Sequence, residues 1–195
     1  LAISVLCRAG DEVIIPAPFW VSYPEMTRFA GGTPVPVQTG VESGYLLTAE
    51  QLEEAITEKT RIVILCSPSN PTGGVYSREQ MEGLAAVLRN HPNIFVVSDE
   101  IYEHIIYDAE FVSFASLEGM KERTVTVNGF SKAYAMTGWR LGFMAAEKSI
   151  VKTASKLQGQ LTSAPSSISQ MAGIAALEMD GQIVRDMVAS FKERR

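Results

Sequence analysis

Short β-forming runs alternate with helical stretches along almost the whole of this chain, and that alternation limits its fold more than any other feature. Arg61–Cys66 and Ile94–Ser98 are near-continuous apolar runs, and Thr124–Asn128 reads as a third strand of the same kind. Strands of this sort are buried on both faces. Ser77-Arg78-Glu79-Gln80 separates the first two as a capping box, opening a helix to about Arg89. Upstream, Val13–Pro16 follows a Gly10-Asp11-Glu12 turn, and Phe19–Phe29 has helical spacing that ends at Gly31-Gly32. Thr33–Val37 reads as an edge strand, because its prolines remove ladder donors. Thr48-Ala49-Glu50-Gln51 is a second capping box, with a helix expected to about Ile56. The pattern predicts an α/β fold of three layers, a mostly parallel sheet flanked by helices.

One connection departs from the pattern. Residues 129–139 are barely enough for a parallel crossover, so the strand expected at 140–145 should be antiparallel. From about Glu147 the chain reads as helices. The first residues, Leu1 to Cys7, read as the last turns of a helix, and the last residues stop in a helical pattern without a glycine cap. Both ends are therefore expected to be cut from something longer.

The bulk properties narrow the function. The 195 residues, 46% of them hydrophobic, suit one domain with a sizeable core. A formal net charge of −5 disfavours nucleic acid and anionic membranes as partners, and no apolar run is long enough to span a bilayer. Cys7 and Cys66 stand alone among apolar neighbours, which implies two reduced core thiols in a soluble intracellular protein. With only His91 and His104 and no Cys-x-x-Cys, no structural zinc site is expected.

In parallel α/β sheets ligands bind at the carboxyl ends of the strands. Three strand ends here carry chemistry. Arg61–Cys66 leads into Ser67-Pro68-Ser69-Asn70-Pro71-Thr72-Gly73-Gly74, Ile94–Ser98 into Asp99-Glu100-Ile101-Tyr102, and Thr124–Asn128 into Gly129-Phe130-Ser131-Lys132. An amide, an acid with a phenol, and a lysine are thus expected side by side. No Gly-x-x-x-x-Gly-Lys-Ser/Thr loop, no Gly-x-Gly-x-x-Gly between strand and helix and no Gly-x-Ser-x-Gly elbow is present, which weakens nucleotide and serine-hydrolase readings.

The segment Gly129-Phe130-Ser131-Lys132-Ala133-Tyr134-Ala135-Met136-Thr137-Gly138-Trp139-Arg140-Leu141-Gly142 resembles the lysine-attachment motif of the class I aminotransferases. Pro16 to Tyr23, Ser67 to Gly73 and Ser98 to Tyr102 resemble the other hallmark segments, in family order. The resemblance covers nearly the whole chain and is strongest to the prokaryotic-type aspartate and prephenate aminotransferases.

That resemblance implies pyridoxal 5'-phosphate (PLP) as cofactor, on a fold-type-I large domain. Residues 1–195 would be its central part, with a glycine-rich phosphate loop upstream and a small domain beyond the C-terminal end. Lys132 would hold the cofactor as a Schiff base and move the substrate α-proton. To do so it must lose its charge, which burial beside cationic groups would favour. Asp99 would keep the ring nitrogen protonated. Tyr102 and Asn70 would bond the phenolic oxygen, although Asn70-Pro71 alone reads as a turn. Trp20 would lie flat on the ring, with Trp20 and Asn70 also touching substrate. Arg140, eight residues after Lys132, and Ser131 would hold the phosphate. Relatives often carry a hydroxyl three residues before the lysine, where this chain has Gly129. The family also implies cis bonds before Pro18 and Pro71, a homodimer, and amino-acid and 2-oxo-acid substrates, with aspartate and 2-oxoglutarate favoured. Prephenate as acceptor, a PLP lyase and a PLP-sensing transcription regulator are the alternatives. His91 and His104 are assigned no chemistry, and Arg61, Arg123 and Glu103 are read as solvated or structural.

Overall fold

A computed structural model describes residues 1–195. Six strands form one sheet in the spatial order β2-β1-β3-β4-β5-β6. They are β1 (Glu12–Ala17), β2 (Thr33–Gln38), β3 (Thr60–Cys66), β4 (Phe95–Asp99), β5 (Thr124–Gly129) and β6 (Gly142–Ala145). All neighbours pair in parallel except β5 and β6, which are antiparallel, as the short 129–139 connection requires. The helices are α1 (Ala2–Leu6), α2 (Ser22–Phe29), α3 (Ala49–Ala55), α4 (Arg78–Arg89), α5 (Lys148–Leu161), α6 (Ser167–Glu178) and α7 (Gln182–Glu193). Both capping boxes form: the side chains of Thr48 and Ser77 accept from the amides of Gln51 and Gln80, which reach back in return. Helix α2 starts later than its apolar spacing suggests, at Ser22 rather than Phe19. No helix is long and apolar enough to cross a membrane.

The period of two along each strand builds the layers. Ile14, Val63, Leu65 and Val96 face one side, where they pack with Leu52 of α3 and with Met81, Leu84 and Leu88 of α4. Val13, Ile15, Ile62, Ile64, Val97 and Val125 face the other, against Ala2, Ile3 and Leu6 of α1, Tyr23 of α2 and Ile150 of α5. Fully burying one such side chain contributes about 1.5–3 kcal/mol, which gives each interface its hold.

Prolines shape the edge and the mouth of the sheet. The amides of Thr33 and Thr39 bond to Asp11 and Ala17 on the β1 side. Pro34 and Pro36, at the positions between, therefore turn their missing donors to the free edge. In β1 the even-numbered amides face β3, as Glu12 does in bonding Lys59. Pro16 has no such donor, and the β1–β3 pairing runs only to Ile14. The sheet parts there, at its carboxyl end.

Candidate active site

Cys66, Asp99 and Val127 lie side by side across the carboxyl ends of β3, β4 and β5. Counting in twos from Val97 puts Asp99 on the face that holds Tyr23. Its neighbour Glu100 faces the opposite way, toward Phe114 in the other core. The two adjacent acids thus serve different layers.

Asp99 is held at both oxygens. The Tyr23 hydroxyl donates to Oδ2 at 2.6 Å and the Ile101 amide donates to Oδ1 at 3.2 Å. Burial pushes the Asp99 carboxyl above its ordinary range. The Tyr23 bond, the Ile101 amide and the charge of Lys132 pull it back, in that order of strength. Burial, with the Asp99 charge adding to it, drives the Tyr23 phenol far above its ordinary value, so it remains a donor. Cys66 is not the core thiol that its apolar neighbours suggest. It is half-buried at the strand end, where its Sγ donates to the Pro68 carbonyl, and burial beside Asp99 raises it to about 11. The thiol there is neutral.

Lys132 sits on the turn after β5, where the Lys132 carbonyl accepts from the Ala135 amide and Ala135 adopts φ 52°. The expectation of a buried lysine among cations is corrected: Lys132 is exposed, and its Nζ lies 5.7 Å from the centre of the Tyr102 ring. Its charge helps to hold down the Asp99 carboxyl. The turn lies beyond the carboxyl end of β5, across an open groove from Phe191 and Arg195 at the end of the chain. Asn70, Tyr102, Ser131 and Lys132 line one open groove of about 810 Å³. Asp99 joins this group through its proximity to Lys132. Trp20 joins through Tyr23, whose ring it meets edge to face at 5.5 Å. Arg140 stays outside: it is exposed, left-handed at φ 51°, and donates to the carbonyl of Thr137 at 2.8 Å.

The peptides before Pro18 and Pro71 are cis, as is the unexpected Ser67-Pro68 bond. At Gly129, where relatives often carry a hydroxyl, an added Cβ would lie 2.9 Å from the Gly142 Cα and 3.0 Å from the Leu141 carbonyl. Strand β6 fills that space with backbone. His104 is exposed and meets the Tyr134 ring edge-on, rather than packing in the interior.

Three residues without a role in the sequence reading shape the site. Tyr23 lies 76 residues from Asp99, and no local pattern connects them. Glu103 accepts from the Asn128 side-chain amide at 2.7 Å, and the Asn128 carbonyl oxygen takes the Gly129 amide. That chain of bonds ties the turn carrying Tyr102 to the strand that leads to Lys132. No cluster of three or more His, Cys, Asp or Glu side chains is arranged to hold a metal ion.

A lysine, a phenol and an amide around one groove, with a half-buried acid next to the lysine, are the donor set of a PLP site. The chain belongs to the class I and II aminotransferases, whose family model matches residues 1–195. Aminotransferases of this kind use PLP. Over its full length the chain is 56% identical to the bifunctional aspartate aminotransferase and glutamate/aspartate-prephenate aminotransferase of Petunia hybrida, and it spans 41% of that relative. It superposes on the aspartate aminotransferase of Rhizobium meliloti with a TM-score of 0.97 at 47% identity, covering 99% of this chain and 49% of that one. The aromatic aminotransferase of Pyrococcus horikoshii gives 0.96 at 43% identity, with 99% and 52% covered. The chain thus spans about half the length of the proteins it matches.

Proposed function

We propose that this chain is the central part of the cofactor-binding large domain of an aminotransferase that moves the amino group of aspartate or glutamate to a 2-oxo acid. The observation that carries the reading is the half-buried Asp99 carboxylate, held by Tyr23 and close to Lys132, beside a groove shared by Lys132, Tyr102 and Asn70. The phosphate loop and small domain then lie outside residues 1–195.

Bound PLP supplies a ring that delocalises the negative charge left when the substrate α-proton departs. Lys132 is the attachment residue, and its amine carries that proton once free. Asp99, locked by Tyr23 and Ile101, presents a fixed carboxylate to the ring nitrogen. Tyr102 and Asn70, which follow the adjacent carboxyl ends of β4 and β3, would bond the phenolic oxygen, and Trp20 would cover the ring, with Trp20 and Asn70 also meeting substrate. Ser131 and Arg140 would take the phosphate, with the Arg140 guanidinium exchanging its bond to the Thr137 carbonyl. Asp99 and Lys132 are the residues on which chemistry depends, with Tyr102 tuning them.

Within the same reaction, prephenate as acceptor is favoured by the Petunia relative, whose name includes that activity. The full protein is proposed to be a homodimer. In support, α6 buries Ser169, Gly173 and Ala176 but leaves Ile168, Met171, Ile174 and Leu177 exposed on its opposite half.

The test uses the complete protein loaded with PLP. Aspartate is added without an acceptor while the cofactor absorbance is recorded. Conversion to the pyridoxamine form with release of oxaloacetate supports the reading. Failure of borohydride to fix the cofactor to the peptide containing Lys132 would refute it.

A further inference from the structure

The geometry points to Tyr23 as a positioning residue that fixes the Asp99 carboxylate in orientation and keeps it ionised for the cofactor. This rests on the reading of Asp99 as the acid at the ring nitrogen.

Tyr23 is buried to 5% exposure in the first turn of α2, and its hydroxyl–carboxylate contact at 2.6 Å has the length of a charge-assisted bond. The amide of Ile101 occupies the other oxygen, so the plane of the carboxylate is set by one short local contact and one from a distant helix. A buried tyrosine needs a partner for its hydroxyl in any fold. What distinguishes this one is the partner chosen. The phenol donates to the carboxylate at the end of β4, which is close enough to Lys132 to feel its charge.

Direction matters as well as contact. Because the phenol keeps its proton, it can act on Asp99 only as a donor, and a donor favours the carboxylate over the acid. Without it, burial acts on Asp99 opposed only by the Ile101 amide and Lys132. The groups that face Asp99 are Tyr23 from α2, Cys66 from β3 and Lys132 from the turn after β5. Glu100 is bonded away, to Ser98 and Ser113. Tyr23 also carries Trp20, since its amide bonds the Trp20 carbonyl at 3.1 Å and the two rings meet at 89°. One side chain thereby links Asp99 to Trp20, the two groups read as partners of the cofactor ring.

The experiment measures binding, not turnover. PLP affinity is determined by equilibrium titration from pH 5 to 8 on the complete protein, in a Lys132→Ala background that removes the amine from the profile. Tyr23→Phe is compared with its parent, and Asp99→Asn serves as reference. The expected result is equal affinity at pH 8 and an acid limb that begins about one pH unit higher in Tyr23→Phe. That is a tenfold rise in the carboxyl's proton affinity, the effect of one lost bond to a charged group. Asp99→Asn should be weak throughout and lack that limb. Coincident acid limbs for parent and Tyr23→Phe, with Asp99→Asn weakened, would overturn the inference alone. Loss of affinity in Tyr23→Phe at every pH would assign it a structural role and overturn it too. An Asp99→Asn variant that binds like its parent would remove the assignment of Asp99 and the inference together.

Discussion

Glu100 offers a quantitative test of how the site is anchored. It is 3% exposed, and its Oε1 accepts three bonds: from Ser98 Oγ at 2.8 Å, Ser113 Oγ at 2.9 Å and the Phe114 amide at 3.3 Å. These bonds pin residue 113 to the end of β4, closing the loop that carries Tyr102. Glu100→Ala leaves all three donors without that acceptor. The serine hydroxyls can rotate to other oxygens, but the Phe114 amide cannot, and a buried orphan donor costs about 1–3 kcal/mol. The emptied volume adds to this, so a loss of roughly 2–4 kcal/mol is expected. Glu100→Gln keeps the accepting oxygen and should cost about 1 kcal/mol or less near neutral pH. In urea the two variants should therefore differ in midpoint by about 1 M, taking a slope of roughly 2 kcal/mol/M.

The pH dependence gives an independent sign for the same residue. Burial raises the Glu100 carboxyl above its ordinary value of 4.5. The folded state then binds the proton more tightly than the unfolded state. Stability from this group is highest below 4.5 and is lost as pH rises through the raised folded value. Glutamine has no such loss. The stability of Glu100→Gln relative to the parent should therefore improve as pH rises from 4.5 toward 8. Equal midpoints for the alanine and glutamine variants would refute the bonding scheme, whereas a difference that moves the other way with pH would mean that the three bonds outweigh burial.

Two further perturbations test other parts of the scaffold. Arg123 donates to the carbonyls of Leu88, His91 and Ile94, tying the end of α4 to β4. Arg123→Ala should cost about 2–4 kcal/mol in chemical unfolding, since three carbonyls lose their donor, whereas an exposed cation such as Lys121 should cost under about 0.5 kcal/mol. At Gly173, a new Cβ would lie 2.6 Å from Leu141 Cδ2 and 3.2 Å from Phe130 Cζ, both beside the lysine turn. Gly173→Val should lower the melting temperature by an overpacking cost of about 1–3 kcal/mol, and an unchanged melt would mean that α6 is free to move.

Several features were decided by sequence because they are local. The capping boxes at Thr48 and Ser77 need only a hydroxyl and a glutamine three residues on, and both formed. The edge position of β2 followed from Pro34 and Pro36, which cannot donate. The antiparallel β6 was expected from chain length, since residues 129–139 are barely enough for a parallel crossover. The gathering of Asn70, Asp99, Tyr102 and Lys132 at one edge followed from their places after parallel strands. What only the tertiary structure decided is what those side chains meet across long stretches of chain. The Tyr23–Asp99 bond spans 76 residues and the Asn128–Glu103 bond 25, and nothing local encodes either. The exposure of Lys132 and the half-burial of Cys66 depend in the same way on how layers stack around them. Burial belongs to the packed layers, whereas a cap or a turn belongs to a few neighbouring residues.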